Sequence, residues 1–146
     1  MDRIPMNFAP LGKRFFGAII DIFILLPFNL PLAIHFGLID FDTPVELTIY
    51  KRLLMFAIMS TTFVIANLYL LLKRGQTIGK LLVGTKIIDQ HGNLLSIKNI
   101  LIIRYVLFLL ANQIVPIISI IDSIFIFGEE RRTLHDRLAG SYVVRS

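Results

Sequence analysis

The chain has 146 residues, 55% of them hydrophobic, with a net charge of +5 and a mean hydropathy of +0.76. That hydropathy lies far above the range of a water-soluble domain, and the length predicts one domain, 1–146. There is no cysteine, which excludes a disulfide framework and a zinc–cysteine site. The basic residues flank apolar runs instead of forming a hydrophilic face, which argues against nucleic acid as a partner.

The first apolar run is 15–38, FFGAIIDIFILLPFNLPLAIHFGL. It reaches the roughly 20 residues that cross a bilayer. It is too long for a cleaved signal peptide, carries Asp21 and lacks a small-residue cleavage site, so it is expected to be a span. The loop 39–52 follows, and its TPVE (Thr43 to Glu46) has the chemistry of a helix start. The second helix is therefore expected to begin near Pro44, with 53–72 as its spanning part.

The 73–99 loop contains Gly75, Gly79 and Lys80, which invite comparison with a phosphate-binding loop. The spacing is one residue short, Leu follows Lys80, and no strand precedes it, so that reading fails. Thr77 to Val83 is instead expected to be a short interfacial helix with apolar Ile78, Leu81 and Leu82. Thr85 to Asp89 reads as a strand, QHGN as a turn, and Ser96 as the cap of the next helix.

The third apolar stretch, 100–127, poses a topological question, because an Arg-rich tail follows it. One crossing would put that tail outside. A short helical hairpin turning near Asn112 to Pro116 would keep it inside. In the tail, Thr133 and Asp136 stand in a capping relation and Gly140 sits where a helix would end. The His135–Asp136 pair suggests a metal or a catalytic base, but His35 and His91 are far away. No metal site is expected, and no nucleophile has an adjacent base, so neither enzyme activity nor a cofactor is expected. β-branched SYVV is suited to pair with TKIID.

Lysines and arginines orient the chain. Arg3, Lys13 and Arg14 precede the first span, and Lys73, Arg74, Lys80, Lys86 and Lys98 follow the second. Both termini and the 73–99 loop are thus expected in the cytoplasm, with 39–52 outside. The predicted fold is an all-α membrane protein: a small polytopic helical bundle of two full spans plus a short helical hairpin, with a minor cytoplasmic β element.

Asp21 inside an apolar run carries a cost of about 2.5–3.5 kcal/mol on insertion scales, so a compensating partner is expected. In the hairpin topology Asp21, Asn67, Arg104 and Asp122 fall in one layer, roughly 6–9 Å inside the boundary by the helical rise. Arg14 lies on the helix face of Asp21. Arg104 and Arg14 are the expected partners of Asp21 and Asp122. Such a layer can fix helix packing, form an ion or proton pathway, or serve as a headgroup or partner site.

KRFFGAIIDIFI, GQTIGKLLVGTKIID with Gly92 after it, and RRTLHDRLAGSYVV occur in this order. Together they resemble the RDD family of small membrane proteins over nearly the whole chain. The family is named for one arginine and two aspartates. The resemblance implies that Arg14 is its arginine and Asp21 its first aspartate, with Asp122 or Asp136 as the second. It further implies that Gly75, Gly79, Lys80, Gly84, His135, Asp136 and Gly140 are motif positions. Ser141 departs from the threonine that commonly follows Ala-Gly. For function, the resemblance implies transport, monovalent cation/proton antiport among its forms, or regulation of a partner. A transporter would use Asp21 and Asp122 as carboxylates, with Arg104 holding the empty state. An adaptor would bind a partner through the 73–99 loop and the tail. Four short helices can hardly enclose a pathway, so the expected partners are the lipid bilayer and either further copies of the chain or another membrane protein.

Overall fold

The computed structural model describes residues 7–46, 48–107, 110, 117–128 and 132–146, with the side chains of 104, 107, 119, 120 and 123 outside the description. The proposed bend at Asn112 to Pro116 and the side chain of Arg104 lie outside the described residues.

Two long helices dominate. Helix α1 spans Leu11–His35 and α2 spans Ile49–Arg74. Both are long and apolar enough to cross a membrane. Their side chains are largely exposed, with Phe15 at 64%, Phe23 at 67% and Ile65 at 76%. A core helix of a water-soluble protein buries such groups, whereas a spanning helix presents them to lipid. Pro27 and Pro31 lie inside α1, and neighbouring helices make such breaks tolerable in membranes. One such tie is the Thr62 hydroxyl, which donates to Asn29 Oδ1 at 2.6 Å across α1 and α2.

The start of α2 differs from expectation. It begins at Ile49 behind Thr48, whose side chain accepts from Lys51 N, and not near Pro44. The reason is a competing local bond. Thr43 donates its hydroxyl to Asp40 Oδ2 at 2.6 Å, and Asp42 N donates to Asp40 Oδ1 at 2.9 Å. Thr43 is thus committed to a turn and does not cap a helix.

Helix α2 ends at Gly75, whose φ of +63° suits the left-handed cap. A short helix α3 (Ile78–Leu82) and a strand β1 (Thr85–Ile88) follow as expected. Ile87 N donates to Gly75 O at 2.7 Å and stitches β1 to the end of α2. The expected turn closes through Asp89 N to Asn93 O at 2.9 Å. Ser96 accepts from Asn99 N at 3.3 Å and starts the third helix. That helix has the wide π form over Lys98–Leu107, a rare geometry that nothing in the sequence marks.

Beyond it lie α4 (Ile118–Ile124), a 3-10 turn (Phe125–Phe127), α5 (Leu134–Leu138) and β2 (Tyr142–Arg145). Strands β1 and β2 pair antiparallel, Thr85 with Arg145 through Ile88 with Tyr142, as the β-branched segments predict. Residues 7–9 line the other side of β2 through Ala9 N to Val143 O and Arg145 N to Asn7 O. The main apolar cluster, including Ala9, Leu71, Ile87, Ile100, Ala139 and Val143, lies where α1 starts and α2 ends. The C-terminal segment is tied to residues at either end of the third apolar stretch. Asn99 donates to Ala139 O at 3.4 Å, and Asp122 accepts from His135 N at 2.8 Å.

Candidate functional site

A helix begins with backbone N–H groups that have no intrahelical partner. Those of α3 are buried, so they need acceptors, and three side chains from three elements supply them. Ile78 N donates to Asn67 Oδ1 at 2.8 Å, Gly79 N to Asp21 Oδ1 at 2.7 Å, and Lys80 N to Thr77 Oγ at 3.2 Å. Thr77 passes its own hydroxyl proton to Asp21 Oδ2 at 2.6 Å. The carboxylate of Asp21 is therefore offset by a helix start, where negative charge is favoured. Glycine is required for this approach. A methyl at Gly79 would overlap the Gly17 carbonyl oxygen and come within 2.9 Å of Asp21 Oδ1.

The second aspartate does the same for α5. Asp122 Oδ1 accepts from His135 N at 2.8 Å, and its Oδ2 lies 2.8 Å from His135 Nδ1. Thr133 and Asp136 form the expected capping box.

These two sites belong to an internal repeat. QTIGKLLVGTKII (76–88) and RTLHDRLAGSYVV (132–144) share Thr, Leu and Gly at an offset of 56 residues. Thr77 and Thr133 are both N-caps, and Gly84 and Gly140 both have positive φ, +66° and +63°. Gln76 donates to Thr85 O at 2.8 Å, and Arg132 Nε to Ser141 O at 3.0 Å. Ile87 pairs with Val143, its counterpart in the repeat, so a local two-fold axis relates the halves. The repeat is the signal in the sequence that could have located both caps.

The expected arginine pairing is corrected accordingly. Arg14 does not hold Asp21. Its Nη2 donates to Val143 O at 2.8 Å and its Nη1 lies 3.6 Å from Asp136 Oδ2, with only 8% of the side chain exposed. Asp21 and Asp122 instead take backbone N–H groups, because short helices α3 and α5 fold back onto them. Arg104, the other expected partner, lies outside the described side chains. Asn67, read as a general interhelical group, is a helix cap. Gly75 and Gly140 serve as left-handed helix ends, and Asp136 closes its own cap.

Two cavities meet here. The first, about 530 Å³, runs between α1 and α2 and has Asp21, Lys80 and His135 at one end and Ala33, Leu38 and Ile39 at the other. The second, about 410 Å³, holds Arg14, Asp122, Asp136 and Thr133. Ala18, Lys80 and His135 line both. Among the described residues no group of three or more His, Cys, Asp or Glu side chains is arranged to hold a metal ion.

A family model described as the RDD family matches residues 8–140. No curated protein and no solved structure matches the chain.

Proposed function

The chain belongs to the RDD family, and from that premise we propose that it is a polytopic membrane transport subunit whose proton-exchanging group is the His135–Asp122 pair. The observation that carries this reading is the position of that pair. The imidazole lies 2.8 Å from Asp122 Oδ2, is 20% exposed, and opens on both cavities. Imidazole changes charge near neutral pH at little cost. Asp21 has no imidazole at its carboxylate: its two oxygens accept from the Thr77 hydroxyl and from Gly79 N.

Exchange of a monovalent cation for a proton is the form that the family resemblance implies. Enclosing a pathway would need further copies or a membrane partner. In this reading both termini are cytoplasmic, and 100–127 is a shallow hairpin. The basic flanks support that orientation, as do the bonds that tie Asn99 to Ala139 and Asp122 to His135.

The test is flux in liposomes of purified protein under a pH gradient, with Na⁺, K⁺ and Li⁺ in turn. Wild-type flux should exceed that of empty liposomes, and His135→Gln should fold but lose it. Flux equal to empty liposomes for all three ions would overturn transport, and full flux in His135→Gln would overturn the assignment of proton exchange to the His135–Asp122 pair. The second reading, a partner-binding adaptor, is favoured by the β1–β2 sheet beside α3 and α5, which offers Lys86 and Arg145 at its surface.

A further inference from the structure

The first cavity has a length, and a lysine at its end, that neither proton exchange nor capping uses. It follows α1 from Ala18 to Ala33, about 22 Å at the helical rise, which exceeds half of a roughly 30 Å hydrocarbon core. Its wall is mostly apolar along that length, with Leu25, Leu26, Leu30, Ile58 and Met59, and Asn29 is the polar exception, its oxygen taken by the Thr62 hydroxyl. A slot of that length and lining suits a hydrocarbon chain.

At the polar end the charged groups are largely partnered. Arg14 faces Asp136, His135 faces Asp122, and Asp21 faces Thr77 and Gly79 N. Lys80 stands among them, half-buried, at the junction of both cavities, and its ammonium makes no ion pair or hydrogen bond with a described residue. A cation so placed at the head of a chain-shaped slot is the complement of an anionic headgroup on an acyl chain. We propose that the slot between α1 and α2 binds one anionic phospholipid from the adjacent leaflet, with an acyl chain along α1 and its phosphate at Lys80.

Binding is read without any flux, so its outcome is independent of the transport reading. Protein purified in mild detergent is titrated with phosphatidylglycerol and with phosphatidylcholine, and retained lipid is counted by native mass spectrometry. One phosphatidylglycerol should be retained, with a preference of about five-fold over phosphatidylcholine, the effect of one basic group near an anionic surface. Lys80→Gln should remove the preference while Lys80→Arg keeps it, and Ala18→Phe should block retention of both lipids. Equal retention of the two lipids by the wild type would overturn the proposal, as would an undiminished preference in Lys80→Gln. Thermal stabilisation by inorganic phosphate equal to that by phosphatidylglycerol would also overturn it, since the site would then hold a free anion.

Discussion

At the scale of the residue, Asp21 acts as an acceptor, and its substitutions should rank accordingly. Asp21→Leu strands the Gly79 N–H and the Thr77 hydroxyl, at about 1–3 kcal/mol for each buried group left unmade. Asp21→Asn keeps an oxygen for Gly79 and offers an amide to the second lone pair of Thr77, so it should unfold only slightly earlier than the wild type. Combining it with Arg14→Gln should give additive losses within about 0.5 kcal/mol, because Arg14 belongs to the Asp136 network. Thermal unfolding in detergent measures all three, and rescue in the double variant would restore the direct ion pair. Asp40 offers a pH test. The Thr43 hydroxyl, and then the Asp42 amide, hold its carboxyl below the ordinary value of 3.8. A depressed value means that the turn is stabilised above the unfolded pKa and loses that contribution as pH falls through the folded one. NMR of the Asp42 and Thr43 resonances should show the turn intact at neutral pH and lost only in strong acid.

At the scale of the element, α5 should depend on its capping box. Asp136→Ala removes the acceptor of Thr133 N and the partner of buried Arg14 and should cost about 3–5 kcal/mol, the loss of the cap being read as faster amide exchange in residues 134–138. Unchanged exchange there would count against the cap. Much of this level was legible in the sequence, since spans, caps and strand pairing are local patterns of apolar residues, threonines and β-branched residues. Thr133, Gly140 and the SYVV strand fell where that chemistry predicts. The partners of Asp21 and Asp122 were not legible in the same way. Charge complementarity points to arginines, whereas the actual donors are backbone amides, which every sequence contains and none advertises. Only the fold brings Gly79 N onto α1. The start of α2 was missed because Thr43 had two uses, and the bond to Asp40 prevailed.

At the scale of the whole molecule, the proposed orientation predicts a labelling pattern. In this cysteine-free chain, Asp42→Cys and Ser146→Cys, made singly, should react with impermeant maleimide from opposite sides of intact cells or inverted vesicles. Reaction of both from one side would remove the two-span arrangement with an internal tail. The two-fold relation between 76–88 and 132–144 also makes the sheet a joint between the early and late parts of the chain, so neither half can be completed alone.

The bond from Arg14 to Val143 O joins residues 129 apart, and this has a consequence for biogenesis. At roughly 5–20 residues per second of synthesis, the guanidinium waits on the order of ten seconds for its acceptor. During that interval the bond to Val143 O and the pair with Asp136 are both absent. The tie from Arg14 is thus closed only when β2 is made. A chain ending before Arg132 should be inserted normally yet cleared much faster than the full-length protein in a pulse-chase experiment, and equal lifetimes would show that the cell does not read this joint.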